Sequence, residues 1–109
     1  MAIIIPKEIV VGGQKLKIEL PEKLNNNRLG QCCVAAGYIR IAKKFNCSEG
    51  DVEQSDSSKV NTFYHEITHA ILETMDRQDL DSNEEFVSTF ASFLCGAMSQ
   101  FVELEFTEE

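Results

Sequence analysis

The chain has two histidines, His65 and His69, and a glutamate, Glu66, directly follows the first of them. Histidines four residues apart lie on one face of an α-helix with Cβ atoms about 5–6 Å apart, so both imidazoles can reach one ion. Zinc accepts such nitrogen ligands at about 2.0–2.1 Å. This H-E-x-x-H pattern therefore predicts a helical zinc site, in which Glu66 acts as general base towards a metal-activated water.

The same pair has a simpler interpretation, in which the two imidazoles form only the polar face of a helix. Two histidines placed at random seldom fall four residues apart with a glutamate after the first, and the surrounding residues have helical periodicity. The zinc interpretation is therefore preferred, and the polar helix face remains the alternative.

A third protein ligand must come from an acidic or sulfur-containing side chain, because the chain has no other histidine. The nearby acids are Glu73, Asp76, Asp79, Asp81, Glu84 and Glu85. Glu73 continues the four-residue spacing, but three ligands along one helix would span about 12 Å, so we expect it behind the ligands. The three aspartates are expected in loops or at helix ends, where one of them could orient a ligand imidazole.

Helical phase distinguishes the two remaining glutamates. Relative to an apolar face centred near Phe90 and Leu94, Glu84 lies at the border of that face and Glu85 points away from it. Glu85 also lies three residues after Ser82, a spacing typical of a capping box. Glu84 is therefore the predicted third ligand, and Glu85 is the alternative.

The H-E-x-x-H motif predicts peptide hydrolysis as the reaction, and this reaction also needs a hydrogen-bond donor near the developing oxyanion. With both histidines assigned to the metal, the only two tyrosines, Tyr38 and Tyr64, are the candidates weighed for this role. Tyr64 belongs to the apolar stripe of the H-E-x-x-H helix and is expected in the core, whereas Tyr38 lies on a predicted strand beside the site. The sequence assigns the role to neither residue.

Two hairpins are predicted before this helix. Gly12 and Gly13 separate strands at about 8–11 and 15–20, and a second hairpin joins 29–34 to 38–42. In the last of these strands Ile39 and Ile41 face one side of the sheet. The polar stretch 46–58 is expected to be a connecting loop.

Two helices follow the predicted strands. The first begins near Ser57, ends at about Asp76, and has an apolar stripe of Val60, Phe63, Tyr64, Ile67, Ala70, Ile71 and Met75. The second begins at the capping box, and its apolar face is Phe86, Val87, Phe90, Phe93, Leu94, Ala97 and Phe101. Its opposite face has small uncharged residues, which fit either a partner subunit in a homo-oligomer or a solvated surface. A short strand is expected at 102–106.

The predicted fold is therefore α+β, in a single domain over residues 1–109: a small antiparallel sheet of two hairpins, followed by the zincin-type helix and a second packed helix. The net charge of −8 disfavours nucleic acid as a ligand. The first residues lack the pattern of a secretory signal, and the longest uncharged run is too polar to span a membrane, so a cytoplasmic location is expected.

Four cysteines, at positions 32, 33, 47 and 95, could form disulfides or a zinc knuckle. Their spacing matches neither paired C-x-x-C motifs nor a zinc finger, and a reducing compartment disfavours disulfides. Free thiols are therefore predicted.

The sequence resembles the minimal gluzincin-type metallopeptidases of phages and prophages, which are distantly similar to ImmA/IrrE-type zincins. The resemblance lies in His65–Leu72 and Asn83–Val87, and more loosely in Gly30 and Tyr38–Ile41. It covers the chain from about residue 12 onward, and only the first motif is specific.

The resemblance implies a small sheet before the H-E-x-x-H helix, whose adjacent edge strand, here 38–42, binds an extended peptide. It also implies zinc bound by His65, His69 and Glu84, with Glu66 as general base. We therefore expect a zinc-dependent metallopeptidase that acts on a protein or peptide substrate. The alternative is a noncatalytic phage or prophage protein that uses zinc for binding or structural stability, although such a site needs no general base.

Overall fold

The computed structural model of the chain describes residues 5–101, and the strand expected at 102–106 lies outside them. The described strands all precede the α-helices, so the predicted α+β class is confirmed. The main sheet consists of β1 (Glu8–Val11), β2 (Gln14–Glu19), β3 (Gly30–Cys33) and β4 (Tyr38–Ile41); a separate hairpin consists of β5 (Lys44–Cys47) and β6 (Gly50–Glu53). The helices are α1 (Asp56–Thr74), α2 (Gln78–Asp81) and α3 (Glu84–Met98).

Both predicted hairpins form, but the sheet is not antiparallel throughout. The strand order is β1-β2-β4-β3, with antiparallel pairing inside each hairpin and parallel pairing between β2 and β4. The expectation that 38–42 is the edge strand is therefore wrong, because β4 lies between β2 and β3. The edge of the sheet that contacts α1 beside the histidines is β3, where a Cβ on Gly30 would meet Thr62 and Glu66 of that helix.

The central position of β4 follows from its side chains. Ile39 and Ile41 are 0% exposed and belong to a core that also includes Leu16 of β2 and Phe63 of α1. On the other face of β4 the guanidinium of Arg40 lies 3.8 Å from the ring centroid of Tyr38. A strand with a fully apolar face gains most from burial when it has neighbours on both sides. The predicted alternation along this strand is confirmed.

The hairpin of β5 and β6 was not predicted, because residues 46–58 were expected to be a loop. Directly after its turn, Gly50 at the start of β6 has φ of 99°, a conformation that favours glycine. Only one apolar cross-strand pair, Phe45 with Val52, joins its strands. A single such pair among polar residues gives little alternation to recognise in the sequence.

Gln54 connects this hairpin to the start of α1. Its side chain, 1% exposed, donates to the carbonyl of Ala42 at 2.6 Å and accepts from Ser58 Oγ at 2.7 Å and Thr62 Oγ1 at 2.8 Å. The helix begins at Asp56, close to the predicted start, with Ser55 Oγ accepting from a backbone N–H of the first turn. Helix α1 is therefore fixed at its first two turns by buried polar contacts.

Helix α3 differs from its prediction in both cap and packing. Asn83 is the N-cap, and Ser82 instead donates its hydroxyl to a carbonyl of α2, a short helix that ends immediately before it. The side chains buried on α3 are Val87 and Ala91, whereas Phe93 is 76% exposed and Phe90 is also exposed. The predicted burial of the phenylalanine face is therefore wrong.

The orientation of α3 explains this difference. Glu84, Val87 and Ala91 are spaced by three and four residues and share one face, which packs against α1. Phe93 lies nine residues after Glu84, which at about 100° per residue places it on the opposite side. The helical face that brings Glu84 towards α1 therefore turns Phe93 outward.

The structure also bears on two predictions about the whole chain. All four cysteines are free. Within residues 5–101, no helix combines the length and the apolar character needed to cross a membrane.

Candidate metal centre

The two histidines and Glu84 converge between α1 and α3. Nε2 of His65 lies 3.2 Å from Oε2 of Glu84, and Nε2 of His69 lies 3.0 Å from Oε1. The imidazole centroids are 5.0 Å apart, and one donor atom from each of the three residues lies within 4.8 Å of the others. The structure thus brings together the three residues predicted as ligands.

This donor set fits zinc. Two ligand atoms that each lie about 2.0–2.1 Å from a tetrahedral ion are about 3.3 Å apart, which is close to both nitrogen–oxygen distances. Two imidazoles and one carboxylate are also the ligands of one class of catalytic zinc site, which keeps a fourth position open. Glu85 is not part of the group, although it lies next to Glu84 in the first turn of α3. That zinc binds here stays a prediction.

Asp81, the last residue of α2, fixes the orientation of His69. Its Oδ1 lies 2.6 Å from Nδ1 of His69, so the Nδ1–H donates to the carboxylate and Nε2 is the ring nitrogen that faces Glu84. A carboxylate in this position selects the tautomer and increases the basicity of a ligand imidazole. The sequence left Asp76, Asp79 and Asp81 open for this role; Asp79 instead pairs with Arg77 at 2.8 Å.

The two imidazoles differ in their acid–base properties. Burial lowers the pKa of His65, and the neighbouring His69 lowers that pKa further. Burial also acts to lower the pKa of His69, but the Asp81 hydrogen bond and nearby carboxylates outweigh it and raise that pKa. A metal at this site would compete with a proton mainly at His69, so metal binding would release protons.

Glu66 is 8% exposed and lies on α1 between the two histidines, beneath the edge strand β3. Burial raises the pKa of Glu66 to about 7, against the opposing effects of His69 and Arg28. A carboxyl group with its pKa near neutrality is suited to accepting and releasing a proton during a reaction. Burial likewise raises the pKa of the adjacent Cys32 thiol to about 12, so this thiol remains protonated.

Gly30 sets the distance between β3 and Glu66. A Cβ at this position would lie 2.5 Å from Cγ2 of Thr62 and 3.0 Å from both Cγ and Oε2 of Glu66. Only glycine permits this approach, and the Thr62 hydroxyl is held by Gln54 behind it. The strand therefore lies directly against the candidate base.

Two concave surfaces open beside these residues. The first, here called the main cleft, has a volume of about 410 Å³ and is lined by Arg28, Gly30, Gln31, Cys32, His65, Glu66, His69 and Glu84. The second, here called the side hollow, has a volume of about 270 Å³ and is lined by Arg28, Leu29, Gly30, Asn61, Thr62, His65 and Glu66. Neither Tyr38 nor Tyr64 lines either surface, so the structure favours neither as an oxyanion donor.

Two residues of the site, Arg28 and Gly30, were given no role there from the sequence. Arg28 precedes Glu66 by 38 positions and gave no local signal. Gly30 lies inside a predicted strand, where an isolated glycine can indicate close backbone approach, and this signal was available. Glu73, expected behind the ligands, is exposed and lines a separate hollow with Asp76 and Asp81.

Comparisons of the chain with protein-family models, with curated proteins and with solved structures give no match.

Proposed function

We propose that this protein is a zinc-dependent metallopeptidase of the gluzincin type, with His65, His69 and Glu84 as zinc ligands and Glu66 as general base. One observation carries the proposal: three donor atoms converge beside a buried carboxyl group, in a cleft that is also lined by residues of the edge strand β3. A site that served structure alone would need the three ligands but not Glu66.

Zinc, Glu66 and Asp81 have different roles in the proposed reaction. Zinc, when bound, supplies Lewis acidity that polarises the scissile carbonyl and makes water a stronger nucleophile. Glu66 accepts a proton from the attacking water and transfers it to the leaving amine, which its pKa near neutrality favours. Asp81 holds the ring of His69 in the orientation that presents Nε2.

The edge of β3 is suited to binding the substrate backbone. β3 pairs with β4 on one side, and within residues 5–101 no strand pairs with its other edge. An extended peptide can add to such an edge through its own backbone N–H and C=O groups. Gly30 and Gln31 of β3 line the main cleft, so a peptide bound there would pass beside Glu66. The proposed substrate is accordingly a peptide or an extended segment of a protein, in the cytoplasm.

The first test is the metal content of the wild-type chain and of Glu84→Ala and Glu85→Ala, measured by elemental analysis after purification without added metal. We expect about one zinc per chain in wild type and Glu85→Ala, and its loss in Glu84→Ala, because Glu84 contacts both imidazoles and Glu85 is not part of the group. Absence of zinc from wild type, even after reconstitution at neutral pH, would contradict the proposal.

The second test separates catalysis from metal binding. Wild type and Glu66→Gln are incubated with zinc and a mixed peptide library, and products are identified by mass spectrometry. We expect cleavage by wild type and a loss of about 10²–10⁴-fold in Glu66→Gln, with zinc retained. Equal activity in both would exclude Glu66 as the base, and zinc binding without cleavage would favour a noncatalytic binding or structural role.

A further inference from the structure

The main cleft and the side hollow meet at a shared wall. Arg28, Gly30, His65 and Glu66 line both of them. A peptide whose reacting bond lies beside Glu66 would therefore place a neighbouring residue in the side hollow. Its volume of about 270 Å³ is large enough for one side chain of ordinary size.

Arg28 is the only lysine or arginine among the described residues that line either concavity. Arg40 pairs with Glu19 and Arg77 pairs with Asp79, whereas Arg28 has no ion-pair partner within residues 5–101. The chain as a whole carries a net charge of −8, so most of the protein surface repels an acidic group. Arg28 thus offers a local site of attraction for negative charge next to the main cleft.

The backbone that carries Arg28 is held on both sides. Asn27 has φ of 55°, and its side-chain amide makes two hydrogen bonds to the backbone of Asn46 in β5, at 2.7 and 2.8 Å. The N–H of Arg28 itself donates to the carbonyl of Asn25 at 3.3 Å. On the other side, the carbonyl of Leu29 accepts from Ala42 at 2.9 Å. The guanidinium therefore extends from a fixed point of the chain, which lowers the entropic cost of using it to bind a ligand.

We propose that the side hollow is a substrate subsite for a carboxylate and that Arg28 determines this specificity, an inference that rests on the proposed peptidase function. A guanidinium donates two parallel hydrogen bonds to a carboxylate, and the amide of Asn61 on the same surface can donate another. The carboxylate has two sources, an aspartate or glutamate side chain next to the scissile bond or the C-terminus of a peptide.

Binding of three labelled pentapeptides to the full-length Glu66→Gln variant, incubated with zinc, tests this assignment. The first peptide has glutamate at its centre with both ends blocked, the second has glutamine instead, and the third has glutamine with a free C-terminal carboxylate. The affinity of each peptide is measured by fluorescence anisotropy at low ionic strength. The measurement is repeated on three double variants, in which Glu66→Gln is combined with Arg28→Gln, Arg28→Lys or Lys17→Gln. Lys17 is exposed on β2 and lines neither concavity, so Lys17→Gln matches the charge change alone.

We expect a carboxylate peptide to bind about tenfold more tightly than the blocked glutamine peptide, as charge-assisted hydrogen bonds require. Arg28→Gln should remove this preference, Arg28→Lys should retain part of it, and Lys17→Gln should leave it unchanged. Preference for the glutamate peptide would show that the subsite binds an acidic side chain. Preference for the peptide with a free C-terminus would show that it binds a C-terminal carboxylate.

Equal affinity for the three peptides, no measurable binding of any of them, or a preference that survives Arg28→Gln would each overturn the inference. The assay requires no turnover, and it gives a result even if the chain binds no zinc. Failure of the subsite is therefore distinguishable from failure of the proposed function, which the metal content and the cleavage of a peptide library decide independently.

Discussion

Asp81 is a carboxylate that acts on the candidate metal centre through His69 rather than through the metal. Its hydrogen bond of 2.6 Å leaves the His69 ring with one orientation and one available nitrogen. The sequence could restrict this role to three aspartates but could not choose among them. Asp81 reaches His69 only because the turn after α1 and the short helix α2 bring the chain back alongside α1.

Replacement of Asp81 by asparagine should weaken zinc binding by about 10–100-fold, since the amide does not stabilise the Nδ1–H of His69 as the carboxylate does. Competition with a chromogenic chelator measures the affinity. Asp79→Asn, which removes an exposed acid paired with Arg77, is the matched control and should retain wild-type affinity. Similar losses in both variants would show that negative charge in α2, not orientation of His69, supports the site.

The residues that sequence reasoning found and missed differ in how they reach the site. His65, Glu66 and His69 lie within one helical segment, so local periodicity was sufficient to group them. Glu84 was chosen by its phase on α3, although the apolar face used as the reference for that choice is partly exposed in the structure. Arg28 has no periodic relation to these residues. Its place in the main cleft depends on β3 lying at the sheet edge and on the Asn27 contact with β5, both of which are tertiary features.

At the level of elements, the contact between β3 and α1 depends on the missing side chain of Gly30. Any Cβ there meets Thr62 and Glu66, so the strand or the helix would have to move. The strand order that creates this contact was not predictable from alternation. Alternation identifies strands and their buried faces but not which strand lies at the edge.

Substitution of Gly30 by alanine should lower the free energy of unfolding by about 1–3 kcal/mol through overpacking. Urea denaturation measures the change. Gly13→Ala, where a Cβ would meet nothing within 4 Å, should change stability by less than about 0.5 kcal/mol. Thr62→Ser removes the methyl group that lies nearest but keeps the hydroxyl bonded to Gln54, so it should restore part of the loss in Gly30→Ala. No restoration would show that Glu66, not Thr62, is the obstructing side chain.

Helix α3 gives a second test at this level, because Val87 of its predicted apolar face is buried whereas Phe90 and Phe93 of the same face are exposed. Val87→Ala, at a fully buried position, should cost roughly 2 kcal/mol of unfolding free energy. Phe93→Ser should cost less than about 0.5 kcal/mol despite the larger side chain, since Phe93 is 76% exposed. A larger loss for Phe93→Ser than for Val87→Ala would contradict the described orientation of α3.

For the molecule as a whole, zinc would connect α1 to α3 across their packed faces. A ligand that binds only the folded chain stabilises it by about 2.7 kcal/mol at a concentration 100 times its dissociation constant. For a chain of this size that corresponds to a rise in melting temperature on the order of 10 °C. Thermal denaturation followed by circular dichroism, with and without zinc, measures the rise.

His65→Ala should abolish this zinc-dependent rise because it removes a ligand, whereas Glu66→Gln should preserve it. An equal rise in wild type and His65→Ala would place the zinc elsewhere on the chain. The pair of variants thus separates stabilisation at the candidate centre from binding to other acidic or thiol groups.

The candidate site is assembled from two separate stretches of chain. Residues 28–32 form one wall of the main cleft, and residues 65–84 contain the proposed ligands and base. Under the proposed function, the first stretch governs which peptide is accepted and the second governs the reaction. Variation at Arg28 and Gln31 would then redirect substrate choice while the chemistry stays intact, a modular arrangement that favours both evolutionary divergence and laboratory reprogramming of selectivity.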